Sequence, residues 1–330
     1  NVEWTEEHHA TRTPEELEQL RLQIDGRPEH PLRFEYEEAR RRIEHGPDIV
    51  SVRAWLGDRG TSRISLTPEI GRGIEYGITE RHFWALEGDW LGIHDPDRGI
   101  PDGRDYRGQD LQIRSQFEEF RAGGPLRLLG SAGFRLESAT GHEDRWEVVI
   151  ESANGLASVI LVGHRDARFG YLPSTLTFLS RLDSNQRFVV TSQTRRTDWT
   201  SLMVRGNELV FAKTIEKRDD DGRLSERRLF ESLLPISAQE LASYTAVPKP
   251  GSEDPVLGLI RLRLVDDYRV GTGLEPVSTT YDGDQPNREV DYAERANQQQ
   301  RGPSVARAGW IIAGASVVLV LGIAIRARLR

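Results

Sequence analysis

The sequence predicts a mainly β protein of the α+β kind, with one long antiparallel sheet curved around or covered by a few helices and a single C-terminal transmembrane helix. Three observations predict it. About a dozen short runs alternate apolar and polar residues between turns bearing Gly, Asp and Pro, with few helical segments among them. Two boxes, Thr13-Pro14-Glu15-Glu16 and Ser237-Ala238-Gln239-Glu240, carry the Ser/Thr and Glu spacing that caps a helix start. The third is Ala308–Ile325, eighteen consecutive residues without a charge.

Residues 1–12 read as a polar lead-in. The first capping box opens a helix in which Leu17, Leu20 and Ile24 recur at helical spacing before Gly26 and Pro28 end it. The period then changes to two. Leu32, Phe34 and Tyr36 alternate with charged residues, and strand-like runs follow at Ile49–Leu56, Ser62–Thr67, Arg72–Thr79, Arg81–Gly88 and Asp89–Asp95. A second helix is expected over Gln109–Ala122, where Leu111, Ile113, Phe117 and Phe120 mark one face before Gly123-Gly124-Pro125. Strands resume at Pro125–Gly130, Phe134–Thr140, Arg145–Ser152, Ala157–Gly163, Ser174–Leu182, Arg187–Thr197 and Glu208–Arg218. The Asp221-Gly222 turn joins the last of these to Arg223–Leu234 as a hairpin, and the second capping box starts a short helix. The β-rich domain thus spans 13–268, and 269–307 reads as a flexible tether, most polar from Gly283 on.

A helix over 308–325 measures roughly 27 Å at about 1.5 Å per residue, close to the ~30 Å hydrocarbon thickness of a bilayer. Trp310 stands where an interfacial anchor belongs, and Arg326, Arg328 and Arg330 can reach headgroups from the basic tail, 326–330. The formal charge of −8 divides accordingly: residues 1–306 carry −12, and the chain from Arg307 onward carries +4. The single methionine is Met203, so Asn1 is not an initiator residue. A cleaved signal peptide is expected, placing the domain on the periplasmic side of a bacterial inner membrane and the C-terminus in the cytoplasm; the alternative is a tail-anchored protein with its domain in the cytoplasm.

The acidic balance excludes a nucleic-acid binder that works through bulk positive charge, and the absence of cysteine excludes thiol chemistry and disulfide stapling. Of the basic residues only Lys213, Lys217 and Lys249 are lysine, a genome-level bias rather than a phosphate-binding signature. No HExxH, Walker A or GxSxG pattern occurs. The pairs at His94-Asp95 and His164-Arg165-Asp166 read as turn chemistry, as do Gly71-Arg72-Gly73 and Asp219-Asp220-Asp221-Gly222, which lacks the alternating ligands of a calcium loop. No catalytic residue, metal or cofactor is assigned.

The aromatic cluster at His82–Leu86 is more informative. In a strand, Phe83 and Ala85 face one side while Trp84 and Leu86 face the other, so both sides are apolar. This describes either a central strand covered on both sides or one whose face lines a hydrophobic cavity. The candidate lining residues are Phe83, Trp84, Leu86, Trp90, Phe117 and Phe120.

The order of elements, with RISLTPEIGRGIEYG (Arg63–Gly77), RHFWALEGDWLGIHDP (Arg81–Pro96), GYLPSTLTFL (Gly170–Leu179) and LLPISAQEL (Leu233–Leu241), resembles the lipoprotein-localisation carrier superfamily over Thr13–Tyr268. These are half-barrels that shuttle acylated proteins across the periplasm. The resemblance implies an incomplete barrel whose concave apolar face receives a lipid or acylated protein, and the same fold serves periplasmic stress sensors. A chain fixed in the membrane departs from the soluble carriers and suits a stationary acceptor, sensor or assembly component; no carrier residue maps onto a position here. The expectation is a non-catalytic, membrane-anchored exported domain binding a hydrophobic ligand. Alternatives are a module that contacts another envelope protein and a polysaccharide hydrolase using paired carboxylates.

Overall fold

A computed structural model describes residues 1–289, apart from 26, 28, 59, 96–105, 131–132, 184–185, 205, 271–274 and 283–284. The expected membrane helix at 308–325, with Trp310, Arg326, Arg328 and Arg330, lies outside the described residues. Among the described residues no helix is long and apolar enough to cross a membrane.

The described residues are mainly β, with four α-helices and one large mixed sheet that does not close into a barrel. The strands are β1 (Val2–His8), β2 (Asp48–Leu56), β3 (Ser62–Pro68), β4 (Ile74–Ile78), β5 (Phe83–Glu87), β6 (Trp90–His94), β7 (Phe134–His142), β8 (Arg145–Ser152) and β9 (Ala157–Asp166). They continue with β10 (Gly170–Ser180), β11 (Val189–Val204), β12 (Asn207–Arg218), β13 (Leu224–Leu233), the two-residue β14 (Glu253–Asp254) and β15 (Gly258–Leu259), β16 (Leu264–Asp267), β17 (Val277–Asp282) and β18 (Gln285–Glu289). The helices are α1 (Pro14–Ile24), α2 (Arg33–His45), α3 (Tyr106–Phe120) and α4 (Ala238–Thr245). The described residues divide into two compact units: one holds Asn1–Val2, those of Val52–Arg114 and those of 234–289, the other those of Glu3–Ser51 and Ser115–Leu233.

In the first unit, β2 to β6 form an antiparallel meander continued by β16, β17 and β18. The expectation of a wholly antiparallel sheet is corrected here. β16 runs parallel to β6, with Leu264 opposite Trp90 and Asp267 opposite Ile93, an arrangement possible because the connection between them is long. Strands β17 and β18 lie within the stretch read as a tether. Thr279 and Thr280 pair across to Glu289 and Arg288, and β-branched residues at 277, 279 and 280 suit a strand. The core gathers Trp84, Leu86, Leu91, Ile93, Ile260, Leu262 and Val265. Helix α4 begins as expected, with Ser237 accepting from the Glu240 N–H and Glu240 returning the bond.

In the second unit the order is β1-β13-β12-β11-β10-β9-β8-β7. Residues 2–8, read as lead-in, are β1: Val2, Trp4 and Glu6 alternate inward and are buried. The Thr13 capping box closes as expected, and Leu17, Leu20 and Ile24 are buried. The strand expected at Leu32–Tyr36 is instead part of α2. Its alternation is incidental; the segment is rich in Glu, Arg and Ala, and Arg33–Glu37 and Arg40–Glu44 pair one helical turn apart at 2.9 and 3.4 Å. The strand expected at Pro125–Gly130 is a 3₁₀ turn, since Gly123-Gly124-Pro125 ends α3 and leaves only a short connector before β7.

Candidate functional site

The six residues read as a cavity lining divide between the units. In the first, Phe83 and Trp84 are buried on opposite faces of β5, which is covered on both sides. Trp84 lies over Gly77, its cross-strand partner, and a Cβ at Gly77 would stand 2.0 Å from the indole nitrogen. The indole donates to the Thr245 carbonyl at 3.0 Å. Leu86 joins the same core. Half-buried Trp90 donates to Asp266 at 2.6 Å, and Ser278 holds the other oxygen of that carboxylate at 2.6 Å. In the second unit Phe117 tilts against Phe211 and Phe120 packs against Trp4 and Phe230, with ring centroids 5.5–6.0 Å apart. These residues are packed side chain against side chain.

Each unit also buries an arginine. Arg63 on β3 donates to Glu75 and Asp254, both at 2.9 Å, and to the Tyr244 carbonyl at 3.1 Å. Its guanidinium lies 5.7 Å from the Trp55 ring centroid and 5.2 Å from that of Trp84. Burial pushes the Glu75 carboxyl up despite Arg63. At Asp254 burial acts the same way but is outweighed by the Arg63 hydrogen bond and the N–H groups of Leu257 and Val256, so its carboxyl is held down.

In the second unit Arg228 on β13 meets Glu226, Glu119 at 3.1 Å and Glu6 at 3.5 Å, while Lys217 meets Glu119 at 3.1 Å and Glu226 at 3.6 Å. Burial opposes ionisation of Glu6, but His8, Arg228 and the Trp4 indole outweigh it and lower its pKa to about 2. These groups neutralise one another in the interior, which is the arrangement of a structural ion cluster rather than of a poised acid and base. Among the described residues no group of three His, Asp or Glu is placed to hold a metal ion. A 680 Å³ cleft beside α1 and α2 is lined by Arg21, Arg33, Arg40 and Arg41 among others. Each of these four is tied to an acid: Glu18, Glu37, Glu44 and Asp48.

A third feature is an apolar sheet face. Directly opposed residues share a face, so the registers set Val148 beside Leu161 and Leu161 beside Leu176, with Ile150 beside Val159 and Val159 beside Phe178. Ile150, Val159, Leu161 and Leu176 are fully buried, and Phe134, Trp146, Val148 and Phe178 are half-buried around them. Leu136, opposite Ile150, extends this face to the sheet edge and is 61% exposed. Trp146 lies over Gly163, where a Cβ would stand 2.1 Å from the ring, and its indole N–H finds no acceptor. The alternation Trp146-Val148-Ile150 and Val159-Leu161 carries this face in the sequence.

No protein-family model matches the sequence, and no curated protein matches it.

Proposed function

We propose that this chain is a non-catalytic, membrane-anchored exported domain that binds a hydrophobic ligand, a lipid or an acylated protein, on the apolar face of β7–β10. The observation that carries this reading is the composition of that face: four buried aliphatic side chains ringed by half-buried Phe134, Trp146, Val148 and Phe178, and running out to exposed Leu136. Half-buried aromatic rings around an aliphatic centre leave apolar surface for an acyl chain, at about 0.8 kcal/mol for each methylene buried. In this reading the face is the concave side of a half-barrel, as in the lipoprotein carriers that the sequence resembles. Ala308–Ile325 with its flanking arginines holds the domain at the membrane. Glu75 and Asp254 are both engaged by Arg63 rather than set as an acid and base pair.

Native mass spectrometry of the full chain, extracted gently from the membrane, tests the reading. A co-purifying lipid, or saturable uptake of an added acyl probe, is expected; a protein that carries none and takes up none refutes it. A second reading, contact with another envelope protein, is favoured by β7. Among the described residues this nine-residue strand pairs only with β8 and is exposed along all but its first residue, which suits addition of an extended partner segment.

A further inference from the structure

Helices α1 and α2 flank the 680 Å³ cleft, and the chain around it sorts its charges. Residues 14–48 hold ten carboxylates and six arginines, a formal −4. Five of those arginines, Arg21, Arg27, Arg33, Arg40 and Arg41, line the cleft, but only three of the carboxylates do, Asp25, Glu37 and Glu44. Five positive charges against three negative leave its wall at +2, within a segment and a chain that are both acidic. The abundance of arginine carries no argument in this sequence; its placement here does.

Helical spacing produces the stripe. Arg33, Tyr36, Arg40 and Glu44 recur three or four residues apart on α2 and share the face that lines the cleft. Only Ala39 of that helix is buried, so no apolar stripe of α2 closes the groove. The neighbouring acids hold these guanidinium groups loosely. Arg21, Arg33 and Arg40 are about half exposed, as are the Glu18, Glu37 and Glu44 that they meet, and exposed pairs of this kind contribute little. Arg33 reaches Glu37 through Nε alone at 2.9 Å, and Arg40 stands 3.4 Å from Glu44. Among the described residues Arg27 is bonded only through its backbone. Donors of Arg27, Arg33 and Arg40 are therefore open to an acceptor entering the cleft.

We propose that the α1–α2 cleft binds a phosphate monoester, with Arg27, Arg33 and Arg40 as donors to the phosphate. Charge complementarity selects the class. A phosphate monoester carries about −1.5 to −2 near neutral pH and offers three strong acceptor oxygens, matching a wall at +2, whereas a carboxylate or a phosphodiester brings a single negative charge. The volume agrees: 680 Å³ lies within the roughly 300–1,000 Å³ of small-molecule sites and leaves room for the group that the phosphate esterifies. A soluble phosphorylated molecule and a phosphatidate head group present this same chemistry. The inference is independent of the hydrophobic-ligand reading.

Arginine modification by phenylglyoxal, followed residue by residue by peptide mass spectrometry on the full chain in phosphatidylcholine nanodiscs, tests the site. Glycerol 3-phosphate is compared with glycerophosphocholine in solution, and discs containing phosphatidate with discs containing phosphatidylglycerol. A monoester is expected to slow modification of Arg27, Arg33 and Arg40 at least about tenfold at saturation, while Arg135, exposed on β7, reacts as before. Protection by glycerol 3-phosphate assigns a soluble ligand, and protection in phosphatidate discs alone assigns the lipid head group. Arg40→Gln alters an exposed ion pair, with thermal unfolding as the check on its fold, and should raise the amount of monoester needed to half-protect Arg33 at least about tenfold. Protection by neither monoester overturns the site. Equal protection by monoester and diester overturns the phosphate-monoester assignment, and equal slowing of Arg135 reduces the effect to charge screening and overturns the cleft. A half-protection point unmoved in Arg40→Gln overturns the role of Arg40.

Discussion

Both units bury an arginine and lay a tryptophan over a cross-strand glycine, and they finish these devices differently. In the first unit Arg63 donates to two carboxylates and a carbonyl between two indole rings, and Trp84 over Gly77 gives its N–H to Thr245. In the second, Arg228 is enclosed by Glu6, Glu119 and Glu226, but Arg196 keeps two donors without acceptors and Trp146 over Gly163 keeps its N–H free of one. Neither shell is complete, since Nη2 of Arg63 is also buried without an acceptor; what separates them is that two carboxylates neutralise Arg63, whereas among the described residues none lies within ion-pair distance of Arg196. On the proposed function, the ligand face belongs to the second unit.

The contrast breaks most sharply at the arginines. Arg63→Met strands Glu75 and Asp254 in the interior and should cost about 3–5 kcal/mol in urea unfolding, whereas Arg196→Met removes a charge that no carboxylate holds and should leave the midpoint level or raised. Equal losses at the two sites would erase the distinction.

The acid limb separates the same centres. Glu6 has a folded pKa of about 2 against a usual 4.5, so its contribution is present above 4.5 and is lost as pH falls from there toward 2. Glu6→Gln should flatten that limb in pH-dependent unfolding. Glu75 is shifted upward, so the folded state binds the proton first and stability falls as pH rises from 4.5 through its folded pKa. Glu75→Gln should remove that loss and leave the Glu6 limb in place.

Glycine replacements give a smaller effect. Gly77→Ala drives a methyl into the fully buried Trp84 and should cost about 1–3 kcal/mol in thermal unfolding. Gly163→Ala meets Trp146 at a similar distance, but that ring is half-buried at the rim and can swing aside, so the cost should be clearly lower. The smallest difference is at the helix caps: Thr13→Ala and Ser237→Ala should each cost about 1 kcal/mol, because both boxes are formed in full.

Local signals were legible in the sequence where one period or one cap dominates. The Thr13 and Ser237 boxes, the meander β2 to β6, and the strands β8, β9, β10, β12 and β13 stand where alternation and turn residues set them, within a few residues at their ends, whereas β11 runs seven residues past its expected end at Thr197, to Val204. α2 was obscured because only Ala39 of its thirteen residues is buried, so it lacks the apolar stripe that distinguishes period 3.6 from period 2. β1 was obscured by Glu6, a carboxylate in an apolar position that makes sense only beside Arg228 and His8. Of the candidate site, the apolar alternation of β8 and β9 was readable. The buried Arg196 of β11 was not, since nothing local marks an arginine whose isolation depends on Asp198 turning its carboxylate to the hydroxyls of Thr197 and Thr214.

The parallel pairing of β6 and β16 also governs the order in which the protein can be made. Trp90 and Asp266, bonded to each other, are 176 residues apart. Hairpins from β7 to β13 join neighbours in the chain and can close as soon as they leave the ribosome, whereas β6 must wait for most of the remaining sequence before its outer edge is covered. During synthesis the last face to be protected is thus on the first unit, and a nascent chain stalled before Leu264 should be open to proteases at β6 while its later hairpins are already resistant.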